Sequence, residues 1–520
     1  MGGAQPHQQH PWLLQLRSEE RGLYLIQLLL SCANAVASNN MEYTNVFLEQ
    51  LTLLASLTGD PMQRVATYFM EGLAARITKS WPGVYKALHS TQLPSIMDIL
   101  SARQVFFSVC PYLKFAFLTV NQAILDVMEG EKVVHLIDLE ASDPVQWLAL
   151  LQALSTRPGG PPTLRITGVS ERRDVLEQTG QRLSQEAEKL YIPFQFHPVL
   201  AQLENLDVEA LKVKSGEAVA VSSVMRLHLL LAKEERLGSL SGQNSSLDGG
   251  YGNLGGTRMS ERVAPARPDG HHTSSPNTQA QVSSEERPAK RARESSEEAD
   301  TMEQHSGDGG YNAGGQSGEA LSEESPSSRD KGLCNDEKDR HGNNPAYPTT
   351  CNQDRARGES SAEMGCGPVE RVLCMLRSLS PKVMVVVEQE SSHNGTTLLE
   401  RFVEALHYYC AMFDSLDSTL PQQCLERVTL EKHLFGQEIK NIVACEGVER
   451  IERHEKLERW RKRMESSGFS ALPLSYPTVL QAKQLLQSFA CDGYRLLEDK
   501  GSLTLCWQDT PLYSASAWHA

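Results

Sequence analysis

At 520 residues the chain can hold two to five ordinary domains or one large domain with an insertion, and 40% hydrophobic against 22% charged residues describes a globular protein diluted by something polar. The formal charge of −15 and pI near 5.5 argue against a protein that grips nucleic acid through its overall field, since such binding is dominated by phosphate neutralisation. The eleven cysteines are odd in number and include no CxxC pair, which argues against a disulfide framework or a cysteine zinc site, and no run reaches the roughly 18 apolar residues of a membrane helix.

In chain order, apolar residues first recur at helical spacing. Leu25, Leu28, Leu29 and Cys32 form one stripe, Val46, Leu51, Leu54 and Leu57 a second, and Val65, Phe69, Leu73 and Ile77 a third, which predicts a helical bundle over about 18–128 with a stop-and-restart at Gly59-Asp60-Pro61. Leu25-Ile-Gln-Leu-Leu29 also matches LxxLL, a pattern with which helices dock into partner grooves, although any leucine-rich bundle helix produces it. The short run Leu23–Leu30 is preceded by Arg17, Glu19, Glu20 and Arg21, unlike a secretory leader.

Beyond the bundle, short β-branched runs alternate with helical stretches. Val133–Asp138 is a buried strand, and Pro144–Leu154 a helix with Asp143 as N-cap and Pro144 at its first position. Leu164–Gly168, Phe194–Val199, Ala218–Ser222 and Val383–Val387 are further strands, with helices at Asp174–Leu190 and Thr397–Phe413. Tyr494–Leu497 and Leu503–Trp507 flank the turn Asp499-Lys-Gly501 and predict a hairpin. The expected fold class is α/β: a Rossmann-like, methyltransferase-type parallel sheet of five strands closed by a C-terminal β-hairpin, with an N-terminal α-helical cap.

Residues 241–367 interrupt this pattern. They contain no Trp, Phe or Ile, hold 18 of the 37 glycines, and carry 21 acidic against 13 basic residues, a net of −8 out of −15. Such a segment cannot bury enough apolar surface to offset its conformational entropy and is expected to be a disordered insert. Within it Lys290-Arg291-Ala292-Arg293 fits a K-[KR]-x-[KR] nuclear-import pattern, carried by Lys290, Arg291 and Arg293.

A methyltransferase-like sheet must be questioned at its cofactor loop. An adenosyl or nucleotide cofactor needs glycine after the first strand so that backbone can approach it, but Leu139-Glu-Ala-Ser-Asp-Pro144 has none and sets Glu140 and Asp143 there. Asp138 and Glu171 stand at strand ends where a ribose would be held, but isolated acids are common in such places. His135 reads as core and His393 as a turn residue beside Asn394-Gly395. Glu388 and Glu390, two apart, face the same way; their plain reading is solvated or paired acids at a sheet edge. Catalytic, cofactor-binding and metal residues are therefore assigned to none. Arg453, Lys456, Arg459, Arg461, Lys462 and Arg463 form a basic cluster on an expected helix, neutralised at i,i+4 spacing by Glu449, Glu452, Glu455 and Glu458.

Val134-His135-Leu136-Ile137-Asp138 resembles the VHIID signature of the plant GRAS family of transcriptional regulators, with Leu136 for its first Ile. Pro144-Val-Gln-Trp147, Leu150–Leu154, Arg157–Pro162 and Leu164–Gly168 are similar to the family's segment immediately C-terminal to that signature. Ala218–Ser222 with Leu227, His228, Leu230 and Leu231 resembles the opening of the family's PFYRE region, and Asn441–Gly447, Arg450–Glu455, Trp460, Gly468-Phe469 and Ser516-Ala517-Trp518 resemble its SAW region. The runs at 140–144, 381–386 and 511–518 look most like the family's scarecrow-like number three group. The PFYRE letters as such and the loop glycine of many relatives are missing.

The resemblance implies a GRAS domain at 18–518: leucine repeat I over 18–100, the VHIID region over 101–170, leucine repeat II over 175–212, the PFYRE region over 218–444 interrupted by 241–367, and the SAW region over 445–518. It further implies a non-enzymatic nuclear co-regulator without a DELLA-type segment, acting in gibberellin signalling and root development. The implied partners are DELLA-type GRAS proteins and zinc-finger transcription factors, with homo- or hetero-dimers and mainly indirect DNA contact, and with Leu25, Leu28 and Leu29 as docking residues. A direct DNA binder and an S-adenosylmethionine-dependent methyltransferase-like enzyme are the alternatives.

Overall fold

The computed structural model describes residues 16–89, 95–141, 143–234, 367–421 and 424–520. Among these residues six helices come first: α1 Ser18–Ala37, α2 Met41–Leu54, α3 Pro61–Lys79, α4 Pro82–His89, α5 Ile96–Val109 and α6 Tyr112–Val127. The break at Gly59-Asp60-Pro61 works as its residues dictate. The Asp60 side chain accepts the Gln63 N–H at 2.9 Å, Gln63 Oε1 accepts the Asp60 N–H at 3.2 Å, and Pro61 starts α3 where its missing N–H costs nothing. The second stripe is half right. Leu51 and Leu54 are buried, but Val46 faces outward because α2 has only one flank against the bundle, and Leu57 is exposed in the turn after α2.

The sheet alternates with helices: β1 Val133–Asp138, α7 Val145–Ser155, β2 Thr163–Ser170, α8 Arg173–Lys189, β3 Phe194–Leu200, the single turn α9 Val208–Leu211, β4 Ala218–Val224, α10 Pro368–Ser378, β5 Val383–Gln389 and α11 Leu398–Thr419. A cap-side group comes next, α12 Leu425–Leu430, a π-turn over Glu431–Phe435 and α13 Gly436–Ala444. The chain closes with α14 Leu457–Ser466, β6 Ser470–Leu472, α15 Tyr476–Gln487, β7 Tyr494–Asp499, β8 Ser502–Trp507 and β9 Thr510–His519.

Strand order is β3-β2-β1-β4-β5-β9-β8-β7, with β6 also on β9. The five strands from β3 to β5 are mutually parallel; β9 runs antiparallel to β5, and β7, β8 and β9 form an antiparallel meander. The expected hairpin is β7–β8, with Lys500 and Gly501 both at positive φ (48° and 76°) as a two-residue loop requires. The expectation of five parallel strands closed by that hairpin alone needs correction. The hairpin meets the parallel strands only through β9, whose centre Ser514-Ala-Ser-Ala517 consists of small residues with weak strand propensity.

Each face of the sheet carries a core. Val134, Leu136, Val383, Val385 and Val387 point to the side of α1, α3, α6, α11 and α13, whereas Ile137, Met384 and Val386 point to the side of α10 and α14, the period-two alternation of strands buried on both faces. Two boundaries move. Helix α7 begins at Val145 with Pro144 at the N-cap, although Asp143 still accepts the Val145 N–H at 2.9 Å. The basic helix begins only at Leu457, so Arg453 and Glu455 lie buried in the extended segment before it. Of the four expected pairs, Glu455–Arg459 and Glu458–Lys462 form; Glu449 instead pairs with Lys79, and Lys456 with Glu404.

Candidate functional site

The VHIID side chains divide between the two faces by their alternation. Val134, Leu136 and Ile137 are core. His135 is fully buried with its Nε2 2.7 Å from Thr167 Oγ1 and its Nδ1 3.0 Å from an Arg165 nitrogen, and Arg165 is held in turn by Glu217. Burial and the Arg165 charge hold the His135 pKa down at about 4, so the imidazole is neutral.

Asp138 ends β1 at the carboxyl edge of the sheet, where β1 and β4 neighbour each other and the connections part in opposite directions. This is the crevice in which open α/β sheets bind ligands. Its Oδ2 accepts the Trp147 indole N–H at 2.7 Å and its Oδ1 the Glu140 backbone N–H at 3.0 Å, while burial pushes its pKa up to about 6. Glu140 of the loop and Glu171 after β2 are already partnered. Arg226 reaches Glu140 at 3.1 Å and Glu171 at 3.2 Å, and Arg103 stands 3.5 Å from Glu140. What remains between Arg103, Phe117, Asp138, Gln146 and Met225 is a cavity of about 60 Å³.

On the SAW strand, Ser516, Ala517 and Trp518 are buried, and Trp518 donates its indole N–H to Ser516 Oγ at 2.9 Å. Trp518 packs with Trp460, Met464 and Phe469 on the α10–α14 side. Leu25, Leu28 and Leu29 require a correction. Their exposures are 0%, 4% and 0%, because the apolar stripe of α1 is spent on the bundle, so they do not form a docking surface. Lys290, Arg291 and Arg293, with the rest of the insert over 241–366, lie outside the described residues.

A second constellation went unread in the sequence. Glu388 is not an edge acid but sits on the central strand β5, 2% exposed, accepting the backbone N–H groups of Arg226 (3.1 Å) and Leu227 (2.8 Å) and facing His228 Nδ1 at 2.8 Å. Glu390, its expected companion, instead accepts the Leu457 N–H at 2.8 Å at the start of α14. His228 Nε2 faces Glu452 Oε2 at 3.6 Å, and His454 Nε2 faces the same oxygen at 3.3 Å. His393, read as a turn residue, lies in a turn yet is fully buried, its Nδ1 2.9 Å from His454 Nδ1 and its Nε2 bonded to Ser391 Oγ. Burial alone would lower the His228 pKa, but the Glu388 and Glu452 carboxylates outweigh it and push it up to about 10. Burial lowers that of His454, with the His228 charge adding to the effect. The signal that would have found the group is Arg450-Ile-Glu-Arg-His-Glu455 read as extended chain, where Glu452 and His454, two apart, share a side. The helical reading of that stretch hid it.

The GRAS domain family matches residues 25–519. The chain is 46% identical to Scarecrow-like protein 3 of Arabidopsis thaliana over 97% of its own length and 91% of that protein's. It is 33% identical to DELLA protein GAI1 of Vitis vinifera over 96% of its own length and 62% of that protein's. The crystal structure of SCL7 from Oryza sativa superposes with a TM-score of 0.63 at 26% identity, covering 95% of this chain and 99% of that one. With its signature strand, its strand-end crevice and its closing Ser516-Ala517-Trp518 all inside the matched span, this chain belongs to the GRAS domain family.

Proposed function

We propose that this chain is a nuclear transcriptional co-regulator that works by protein–protein docking, in gibberellin signalling and root development, with DELLA-type GRAS proteins and zinc-finger transcription factors as partners and most DNA contact made through them. The observation that carries the docking reading is the outer face of the N-terminal helices. Tyr43, Val46 and Leu53 on α2, with Trp81, Val84 and Leu88 at α4, are each 42–59% exposed, a repeated apolar surface of the kind that receives a partner helix. The names of the relatives, Scarecrow-like and DELLA, support the regulatory setting.

The strand-end crevice supports a non-enzymatic reading of the sheet. Its order, five parallel strands closed by antiparallel ones, fits a methyltransferase-type Rossmann-like architecture. Yet the space at the switch point is about 60 Å³, against the roughly 300 Å³ or more of a cofactor pocket, and Arg226 and Arg103 already pair with its Glu140. The docking test is Val46→Glu with Leu53→Glu in a chain whose circular dichroism and melting temperature stay native. Lost partner capture from nuclear extract and lost promoter activity are expected; native capture and activity from that variant would move docking elsewhere. For nuclear entry, Lys290, Arg291 and Arg293 replaced by Ala in a fluorescent fusion should shift it to the cytoplasm.

A further inference from the structure

We propose that His228, Glu452 and His454 form a binding site for one divalent cation of the zinc class. The three come from separate stretches, His228 from the turn after β4 and the other two from the extended segment before α14, and their ligand atoms lie within 4.8 Å of one another. Two imidazole nitrogens and one carboxylate oxygen are a donor set that zinc takes with a fourth position left to solvent. Metal–ligand bonds of about 2.0–2.2 Å put the corners of a tetrahedron roughly 3.3–3.6 Å apart. The nitrogens of His228 and His454 stand 3.6 and 3.3 Å from Glu452 Oε2.

The outer groups orient the two imidazoles as ligands require. His228 Nδ1 donates to Glu388 Oε2 at 2.8 Å, and Glu388 is itself fixed by two backbone N–H groups, so that the Nε2 of His228 is the atom that coordinates once the ion displaces its proton. In the tautomer that a bound ion selects, with the proton on His454 Nδ1, that nitrogen donates to His393 Nδ1 at 2.9 Å, His393 donates from Nε2 to Ser391 Oγ, and the Nε2 lone pair of His454 turns inward.

The independent sign of a missing ligand is that same atom. His454 is 1% exposed and its Nε2 makes no hydrogen bond of ordinary geometry among the described residues, with the Glu452 oxygen standing 3.3 Å away. In that tautomer a buried lone pair set against a carboxylate oxygen is repulsive until a cation lies between them, and a dication there takes over from the displaced His228 proton in offsetting the negative charge of Glu388 and Glu452. The Glu452 side chain is 18% exposed, which gives the ion a way in. The bound ion would clip the end of the N-terminal half of the domain, at His228, to the SAW region at 452–454.

The test uses the full-length chain, stripped with chelator and with its thiols alkylated so that Cys374 and the other cysteines cannot bind metal. Titration with Co²⁺ alone, followed by its visible bands, and with Zn²⁺ alone by calorimetry should show one equivalent bound and a raised melting temperature. Glu388→Gln, which touches only the outer shell, should weaken binding about 10–100-fold, and Glu452→Ala with His454→Ala should abolish it. Absence of stoichiometric binding to the folded wild-type chain overturns the site whether or not the variants fold, as does equal binding by the wild type and a folded double variant.

Discussion

The indole N–H of Trp147 meets Oδ2 of Asp138 at 2.7 Å, joining the last residue of the signature strand to the first turn of α7. The carboxylate's other oxygen holds the Glu140 N–H, so one buried acid shapes the whole loop at the carboxyl edge of the sheet. Asp138→Asn keeps one acceptor oxygen where two are used, and should cost about 1–2 kcal/mol in denaturant unfolding at pH 7, with Asp138→Ala costing more.

The same acid should give stability a pH dependence of known sign. Its folded pKa near 6 is above its ordinary 3.8, so the folded chain holds an extra proton between those values. That contribution is complete below pH 3.8 and is lost as the pH rises through 6, about 3 kcal/mol in all. Wild type measured against Asp138→Asn should therefore lose relative stability from pH 4 to 6.5; a flat difference would show that the carboxyl is ionised throughout.

His135 should act in the opposite direction. Its pKa falls from 6.5 to about 4 in the fold, so its contribution is complete above 6.5 and is lost as the pH falls through 4, again about 3 kcal/mol. Three residues apart on one strand, His135 and Asp138 nearly cancel in the wild type. His135→Gln should leave the Asp138 slope exposed, and chemical unfolding of the variant across pH 4–7 reads it directly.

The cap is tied to the second helical group by a buried ionic triad. Arg64 Nε and an Arg427 nitrogen approach Glu431 Oε1 at 2.9 and 3.0 Å, and all three residues are at most 1% exposed. Glu431→Ala leaves two guanidinium groups in the core without that acceptor and should cost about 3–5 kcal/mol, whereas Glu431→Gln, which keeps an oxygen, should cost less. Thermal unfolding of both variants decides it.

The insert departs and returns at adjacent points. Arg463 holds Glu234 at 2.8 Å on one flank and Glu370 at 2.6 Å on the other. Replacing residues 241–362 by a short flexible linker should leave cooperative unfolding intact and shift stability by no more than about 1 kcal/mol, because loop closure depends only on the logarithm of length. Arg463→Ala should lower the melting temperature in both the long and the shortened chain.

Local physics made much of this protein readable in its sequence. Runs of β-branched and aromatic residues named β1, β2, β3, β4 and β5, the Asp60-Pro61 cap named the start of α3, and Gly501 named the hairpin turn, because each is decided by propensity and near neighbours. Long-range packing decided the rest. That β9 separates β5 from the hairpin depends on Ser514, Ala515 and Ser516 being small enough to lie buried between two neighbours, a property no local pattern displays. That Leu25, Leu28 and Leu29 are core rather than surface depends on which flank of α1 the bundle takes. And Glu388, His228, Glu452 and His454 converge from positions up to 226 residues apart. Sequence spacing fixes which side chains share a strand or helix face, but only the closed fold brings distant faces within the few ångströms over which charges and lone pairs act.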